Sequence, residues 1–159
     1  MPVEAPPQFL IERTVRVSSS PATQGSQTLR EPPRVYGFTL RQPAAEWVRA
    51  AINRIELLTS LRPGWDSYGA AAVGARAATA AVRFLLDHAY PEVAAPSIVP
   101  LANGGLQVEW HRGGVDVEIS FFDGDGEVYV ENLETGENEE GPLSQAGSAF
   151  SRVIRQLAA

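Results

Sequence analysis

The chain contains no cysteine and no lysine, and it has two histidines and one methionine among 159 residues. Without cysteine there are no disulfides and no thiolate metal sites. All thirteen basic residues are arginine. Schiff-base chemistry, a lysine general base, a P-loop lysine and the lysine of restriction-type nuclease sites are therefore excluded. His88 and His111 alone cannot build a histidine-rich zinc site, and no Cys–His nucleophile exists. No nucleophile-elbow sequence supports a Ser-His-Asp triad. Long apolar runs are also missing, because Ala70–Leu86 is interrupted by Arg76 and Arg83, too polar for a membrane span. The stretch MPVEAPPQFLIERTVRV has neither a basic n-region nor an apolar h-region. No signal peptide is expected, and the cytoplasm is the expected compartment. A lysine-free chain rich in Ala, Gly and Pro fits a GC-rich bacterial genome.

What is present is ordinary for a globular domain: 44% hydrophobic and 20% charged residues, in a chain long enough for one core. The net charge of −6 is unevenly spread. Residues 1–62 hold eight arginines and five acids, a net +3, whereas residues 63–159 hold five arginines and fourteen acids, a net −9. The acidic part repels nucleic-acid phosphates, so nucleic acid is expected to be contacted, if at all, only through the N-terminal part.

Six of the twelve prolines fall in residues 1–42, together with a polar run from Ser18 to Thr28. Such a segment blocks helices and sheet ladders and has little to bury. It is expected to be an extended, partly disordered arm with two β-like pieces, Phe9–Val17 and Val35–Leu40, followed by a single domain over 43–159. Pro43 suits a first helical turn and Glu46 favours the helix dipole there. Trp47, Ala51, Ile55 and Leu58, widened by Val48 and Ile52, mark one apolar face up to Pro63-Gly64. A second helix is predicted over Ala75–Ala89, burying Ala78, Val82, Leu85 and Leu86 and stopped by Pro91.

The apolar period then changes to two. Ser97–Leu101 reads as a strand and Asn103-Gly104 as a turn. Leu106, Val108 and Trp110 alternate with Gln107, Glu109 and His111. After Gly113-Gly114, Val115, Val117, Ile119 and Phe121 alternate with Asp116, Glu118 and Ser120. A two-residue turn sets the register Arg112 to Val115, His111 to Asp116, Trp110 to Val117, Glu109 to Glu118 and Val108 to Ile119. Strands over Glu127–Leu133 and near Glu139–Leu143, then a helix capped by Ser144 and carrying Phe150, Val153, Ile154 and Leu157, complete the prediction. The fold class is α+β: two helices, an antiparallel meander of four to five strands, and a C-terminal helix, with helices on one sheet face only.

Two places can carry function. In the loop Gly64-Trp65-Asp66-Ser67-Tyr68-Gly69, the plain reading has Trp65 and Tyr68 plugging the end of the core while Asp66 caps the turn. The functional reading makes Trp65, Asp66 and Tyr68 a recognition loop. On the polar sheet face, Glu109, His111, Asp116 and Glu118 come together, with Gln107 and Ser120 beside them. Glu109 opposite Glu118 is unfavourable unless a cation, an arginine or a shared proton compensates. The plain reading is a solvated face with a His111–Asp116 pair. The functional readings are a surface for a basic protein, or a metal-dependent hydrolase or nuclease site with His111 as ligand or base. Asp123-Gly-Asp-Gly126 has only part of a calcium-loop pattern and reads as a tight turn. The run Glu137, Glu139 and Glu140 reads as a solvated edge.

The loop Gly64-Trp-Asp-Ser-Tyr-Gly69, the hairpin sequence Gly104-Gly-Leu-Gln-Val-Glu-Trp-His111 and the strand Val115-Asp-Val-Glu-Ile119 resemble a family of small bacterial proteins with a G-W-D-x-Y-G loop and a G-G-x-Q-x-E-W-H hairpin. The resemblance covers about residues 45–143. The family is associated with mobile elements, toxin–antitoxin pairs and defence clusters, so the resemblance implies an interaction role and no particular reaction. The expectation is a non-catalytic accessory or antitoxin-like regulatory module with no cofactor, acting through the acidic sheet face with the N-terminal arm as a second candidate contact. Its partner would be another protein with a basic surface, and no membrane is involved. The alternatives are the metal-dependent enzyme and a nucleic-acid-associated regulator led by the arginines of the N-terminal part.

Overall fold

The structure, a computed structural model, describes residues 11–17, 34–40, 46–88, 92–123 and 125–146, with Val153 and Leu157. The polar run Ser18–Thr28, the helix start at Pro43, the stop at Pro91 and the terminal helix apart from Val153 and Leu157 lie outside the described residues. Strands β1 (Ile11–Val17) and β2 (Arg34–Leu40) pair antiparallel as a two-stranded ribbon. Helices α1 (Glu46–Thr59) and α2 (Ala75–Asp87) follow. An antiparallel meander then runs through β3 (Ser97–Pro100), β4 (Leu106–Arg112), β5 (Val115–Phe122), β6 (Asp125–Asn132) and β7 (Asn138–Pro142), in the spatial order of the sequence. The fold is α+β with a five-stranded antiparallel sheet.

Period-two patterning builds the sheet. Along β5 every second residue, Val115, Val117, Ile119 and Phe121, is buried, and the residues between are half-buried. The β4–β5 register is the one the sequence dictates: Arg112 to Val115, His111 to Asp116, Trp110 to Val117, Glu109 to Glu118 and Val108 to Ile119. A one-residue slip would turn the apolar row of the shifted strand to solvent, so burial and turn enforce the same pairing. Helix α2 lies on this apolar face with Ala77, Ala78, Ala81, Val82, Phe84, Leu85 and Leu86 buried. Alanines at successive turns let the helix sit close to the sheet. Helix α1 adds Val48, Ala51, Ile52, Ile55 and Leu58, packing against α2 and β3. Trp110 is 3% exposed, meets Phe84 edge-on, and its indole N–H donates to the Ala94 carbonyl at 2.8 Å. That bond pins the α2–β3 connection to the core. Leu157 is buried in the same core, and Val153 packs against it.

The ribbon is held by α1. Tyr36 N–H donates to Thr59 Oγ1 at 3.3 Å and Phe38 N–H to Glu56 Oε1 at 2.7 Å. Residues 36 and 38 alternate with those facing β1, so the helix side chains satisfy the second edge of β2. The Phe38 side chain enters the core at 9% exposure.

The two glycines of the hairpin sequence have a steric reason. Gly104 sits at φ +87°, and a Cβ there would meet the Ala72 carbonyl at 2.9 Å; one on Gly105 would meet the Phe121 carbonyl at 2.6 Å. The segment after the aromatic loop lies against this turn, with Ala71 N–H donating to Ala102 O and Gly74 N–H to Gly104 O, both at 2.8 Å. The G-W-D loop and the G-G turn are thus one interlocked unit.

Candidate functional site

Alternation on β3 to β7 leaves the second sheet face open. Following the pairings, this face carries a row Ser97, Glu109, Glu118, Tyr129 and Glu140, a row His111, Asp116, Glu131 and Asn138, and a row Val99, Gln107, Ser120, Glu127 and Pro142. Glu109, His111, Asp116 and Glu118, singled out from the sequence, are brought together as expected. Glu127, Tyr129 and Glu131, not singled out from the sequence, and Glu140, read there as part of a solvated edge, extend the same surface. The signal for them was present, since the strand Glu127–Leu133 also alternates. Their place on this face required the β5–β6 and β6–β7 registers. With Asp125, which pairs with Phe122 at the end of the sheet, seven carboxylates therefore share the face with one imidazole, and none of the paired residues on it is an arginine. Strands ~4.8 Å apart place cross-strand neighbours within direct electrostatic reach.

In the Glu109–Glu118 opposition each carboxylate has its own side-chain partner. Gln107 Nε2 donates to Glu118 Oε2 at 2.6 Å, and Glu109 Oε2 lies 3.4 Å from His111 Nε2. The two carboxylates thus have different partners, which disperses the repulsion. His111 Nδ1 lies 3.0 Å from Asp116 Oδ1, so the imidazole lies between two acids. Hydrogen bonding to Asp116, then to Glu109, holds its pKa above the usual histidine range. At 50% side-chain exposure the group remains open to solvent. Tyr129 donates its hydroxyl proton to Glu131 at 3.0 Å, and that carboxylate raises its pKa. Among the described residues, no group of three or more His, Asp or Glu side chains is arranged to hold a metal ion.

The aromatic loop corrects the expectation of a core plug. Tyr68 is 94% exposed and Trp65 is only half-buried, with its indole N–H donating to the Ala71 carbonyl at 3.2 Å. Asp66 does cap the turn. Its Oδ1 accepts from Tyr68 N–H at 2.9 Å and Ala70 N–H at 3.0 Å, and those two donors, Ala70 first, lower its pKa. The chain closes behind it through Gly64 N–H to Ala70 O at 2.7 Å. Ser67 is held at φ +67°, which costs energy for a non-glycine residue and is sustained by this network. The loop therefore presents Tyr68 outward on a fixed backbone, beside the β3–β4 turn.

Of the eight arginines in residues 1–62 that carry the nucleic-acid alternative, the side chains of Arg13, Arg16, Arg30, Arg34 and Arg41 lie outside the described residues, and Arg54 donates to the Ile98 carbonyl at 3.2 Å. Among the described residues, no helix is long and apolar enough to cross a membrane. Comparison of the chain with protein-family models, with curated proteins and with solved structures finds no match.

Proposed function

We propose that this chain is a non-catalytic, protein-binding accessory module, antitoxin-like in that it covers a basic surface of its partner. One observation carries the reading: the open sheet face presents Glu109, Asp116, Glu118, Glu127, Glu131 and Glu140 with no arginine among them, on a sheet backed by a closed core. A rigid acidic face attracts a basic partner from a distance and orients it on approach. Tyr129 in the middle of the face and Tyr68 on the capped loop supply aromatic anchors of the kind that dominate binding energy. The resemblance to small bacterial proteins of toxin–antitoxin and defence clusters points the same way, and in this reading the chain acts in the cytoplasm. A hydrolytic centre on Glu109, His111, Asp116 and Glu118 has less support, because both imidazole nitrogens are already turned to carboxylates.

Affinity capture from the native host, followed by calorimetry with the purified partner, tests this reading. Glu109→Gln with Glu118→Gln is expected to weaken association about tenfold, the equivalent of ~1.4 kcal/mol. Equal affinity for wild type and double variant contradicts it.

A further inference from the structure

The two edges of the five-stranded sheet are not alike. In the β6–β7 pair, Leu143 N–H donates to Gly126 O and Asn132 N–H to Glu137 O, both at 2.8 Å. Antiparallel bonding alternates along the strand, so residues 137, 139, 141 and 143 face β6, while Asn138, Glu140 and Pro142 turn their backbone groups outward. The outer edge of β7 thus offers two N–H groups and two carbonyls, those of Asn138 and Glu140, while the Pro142 carbonyl accepts from Gln145 N–H at 2.9 Å. Pro142 falls where its missing N–H costs no ladder bond. Among the described residues, nothing pairs with this edge. At the other edge, Leu101 N–H donating to Gly105 O sets the alternation so that Ile98 and Pro100 face out. The Ile98 carbonyl is already taken by Arg54 Nε at 3.2 Å, and proline leaves Ile98 the sole outward N–H. The β3 edge is thus left with a single outward N–H, whereas the β7 edge has two with their carbonyls.

Two further features say what the open edge accepts. Glu137, Glu139 and Glu140 line it, exposed, and Glu127 and Glu131 follow on β6. A second copy of this strand would bring like charges together, whereas a basic strand would neutralise them. Beside β6 and β7, a cavity of about 240 Å³ is lined by Val128, Val130, Ala146 and Val153 together with Glu139 and Glu140. We infer that the β7 edge takes up an extended, basic segment of the partner as a sixth strand, with alternate side chains directed to the outer carboxylates and to this cavity. Main-chain bonds give such a complex its affinity, and the pocket for alternate side chains gives it specificity. This inference rests on the reading of the chain as a binder of a basic protein.

The test uses the full chain and an acetylated, amidated hexapeptide of alternating arginine and valine. Peptide binding is expected to slow hydrogen exchange of the Asn138 and Glu140 amides. N-methylation of the peptide residues facing β7 keeps every charge but removes the inter-strand bonds, and is expected to weaken binding about tenfold. Glu140→Pro, which removes one outward N–H at a position that tolerates proline, is expected to bind several-fold more weakly than Glu140→Gln. Equal affinity of the plain and N-methylated peptides, with unchanged exchange at Asn138 and Glu140, overturns strand addition but leaves the acidic-face reading standing. No binding of the plain peptide at millimolar concentration also overturns it. If N-methylation weakens binding while Glu109→Gln with Glu118→Gln leaves it and its salt dependence unchanged, the edge site stands and the face does not.

Discussion

Neighbouring residues on one strand meet opposite worlds in this sheet. Trp110 is packed against Phe84 with its indole N–H satisfied, while Glu109 and His111, one residue to either side, face water. Burial of the first face supplies the stability that lets the second be electrostatically unfavourable. A row that sets Glu109 beside Glu118, with Glu140 farther along, contributes little to folding, and the fold tolerates it because the core does not depend on it. Under the proposed function, such a surface is one kept for a partner.

The largest contrast is between faces. Trp110→Ala is expected to cost about 3–5 kcal/mol in chemical denaturation, as for other buried large aromatics, and Glu109→Gln no more than about 0.5 kcal/mol. Comparable losses at the two positions would mean the outer face is part of the core.

Trp65→Ala comes next. Burial of this ring would have implied a cost near that of Trp110. Half-buried and bonded only through an exposed N–H, it is expected to cost roughly 1–2 kcal/mol. Tyr68→Ala should leave the melting temperature unchanged while reducing affinity for the captured partner. A large thermal loss for Tyr68→Ala would return the loop to a structural role.

Asp66 supplies a pH-dependent contribution. Its pKa is depressed by the Ala70 and Tyr68 amides, so its stabilisation is present above the ordinary aspartate pKa and is lost as pH falls through the folded value. Asp66→Asn is expected to lower the melting temperature by a few degrees at pH 7, with the gap closing below about pH 4. A gap that does not narrow at all as pH falls below the ordinary aspartate range would point to a steric origin.

The smallest effect belongs to His111. Its raised pKa means that its contribution is fully present below the unfolded value of about 6.5 and is lost as pH rises through the folded value. For so exposed a group, screening limits the gain to roughly 0.3 kcal/mol. Melting curves of wild type and His111→Ala should therefore separate slightly at pH 5.5 and coincide at pH 8.5. Separation at the higher pH alone would have the wrong sign for this pairing.

Much of the architecture was legible because two periodicities and a few turn signals agree. The hairpin from Leu106 to Phe121 has one register that satisfies both its turn and its apolar rows, so its four site residues could be placed from sequence. Helical spacing likewise located α1 and α2. The docking of β2 on α1 was not legible, since it depends on Glu56 and Thr59 receiving backbone N–H groups, a contact without local signature. Nor was the exposure of Trp65 and Tyr68. Composition favours burying large rings, whereas the outcome here is set by Asp66 closing the loop on itself. The wider acidic surface escaped because Tyr129, Glu131 and Glu140 reach it only through pairings beyond the best-determined hairpin.

Salt dependence of partner binding tests the central claim most directly. With the captured partner purified, affinity is measured by calorimetry from 50 to 300 mM salt for wild type and for the Glu109→Gln, Glu118→Gln variant. An acidic docking face predicts that wild-type affinity falls steadily with salt as screening shortens the reach of the carboxylates, and that the variant binds more weakly with a shallower slope. Wild-type affinity independent of salt, or identical slopes for the two proteins, would contradict it.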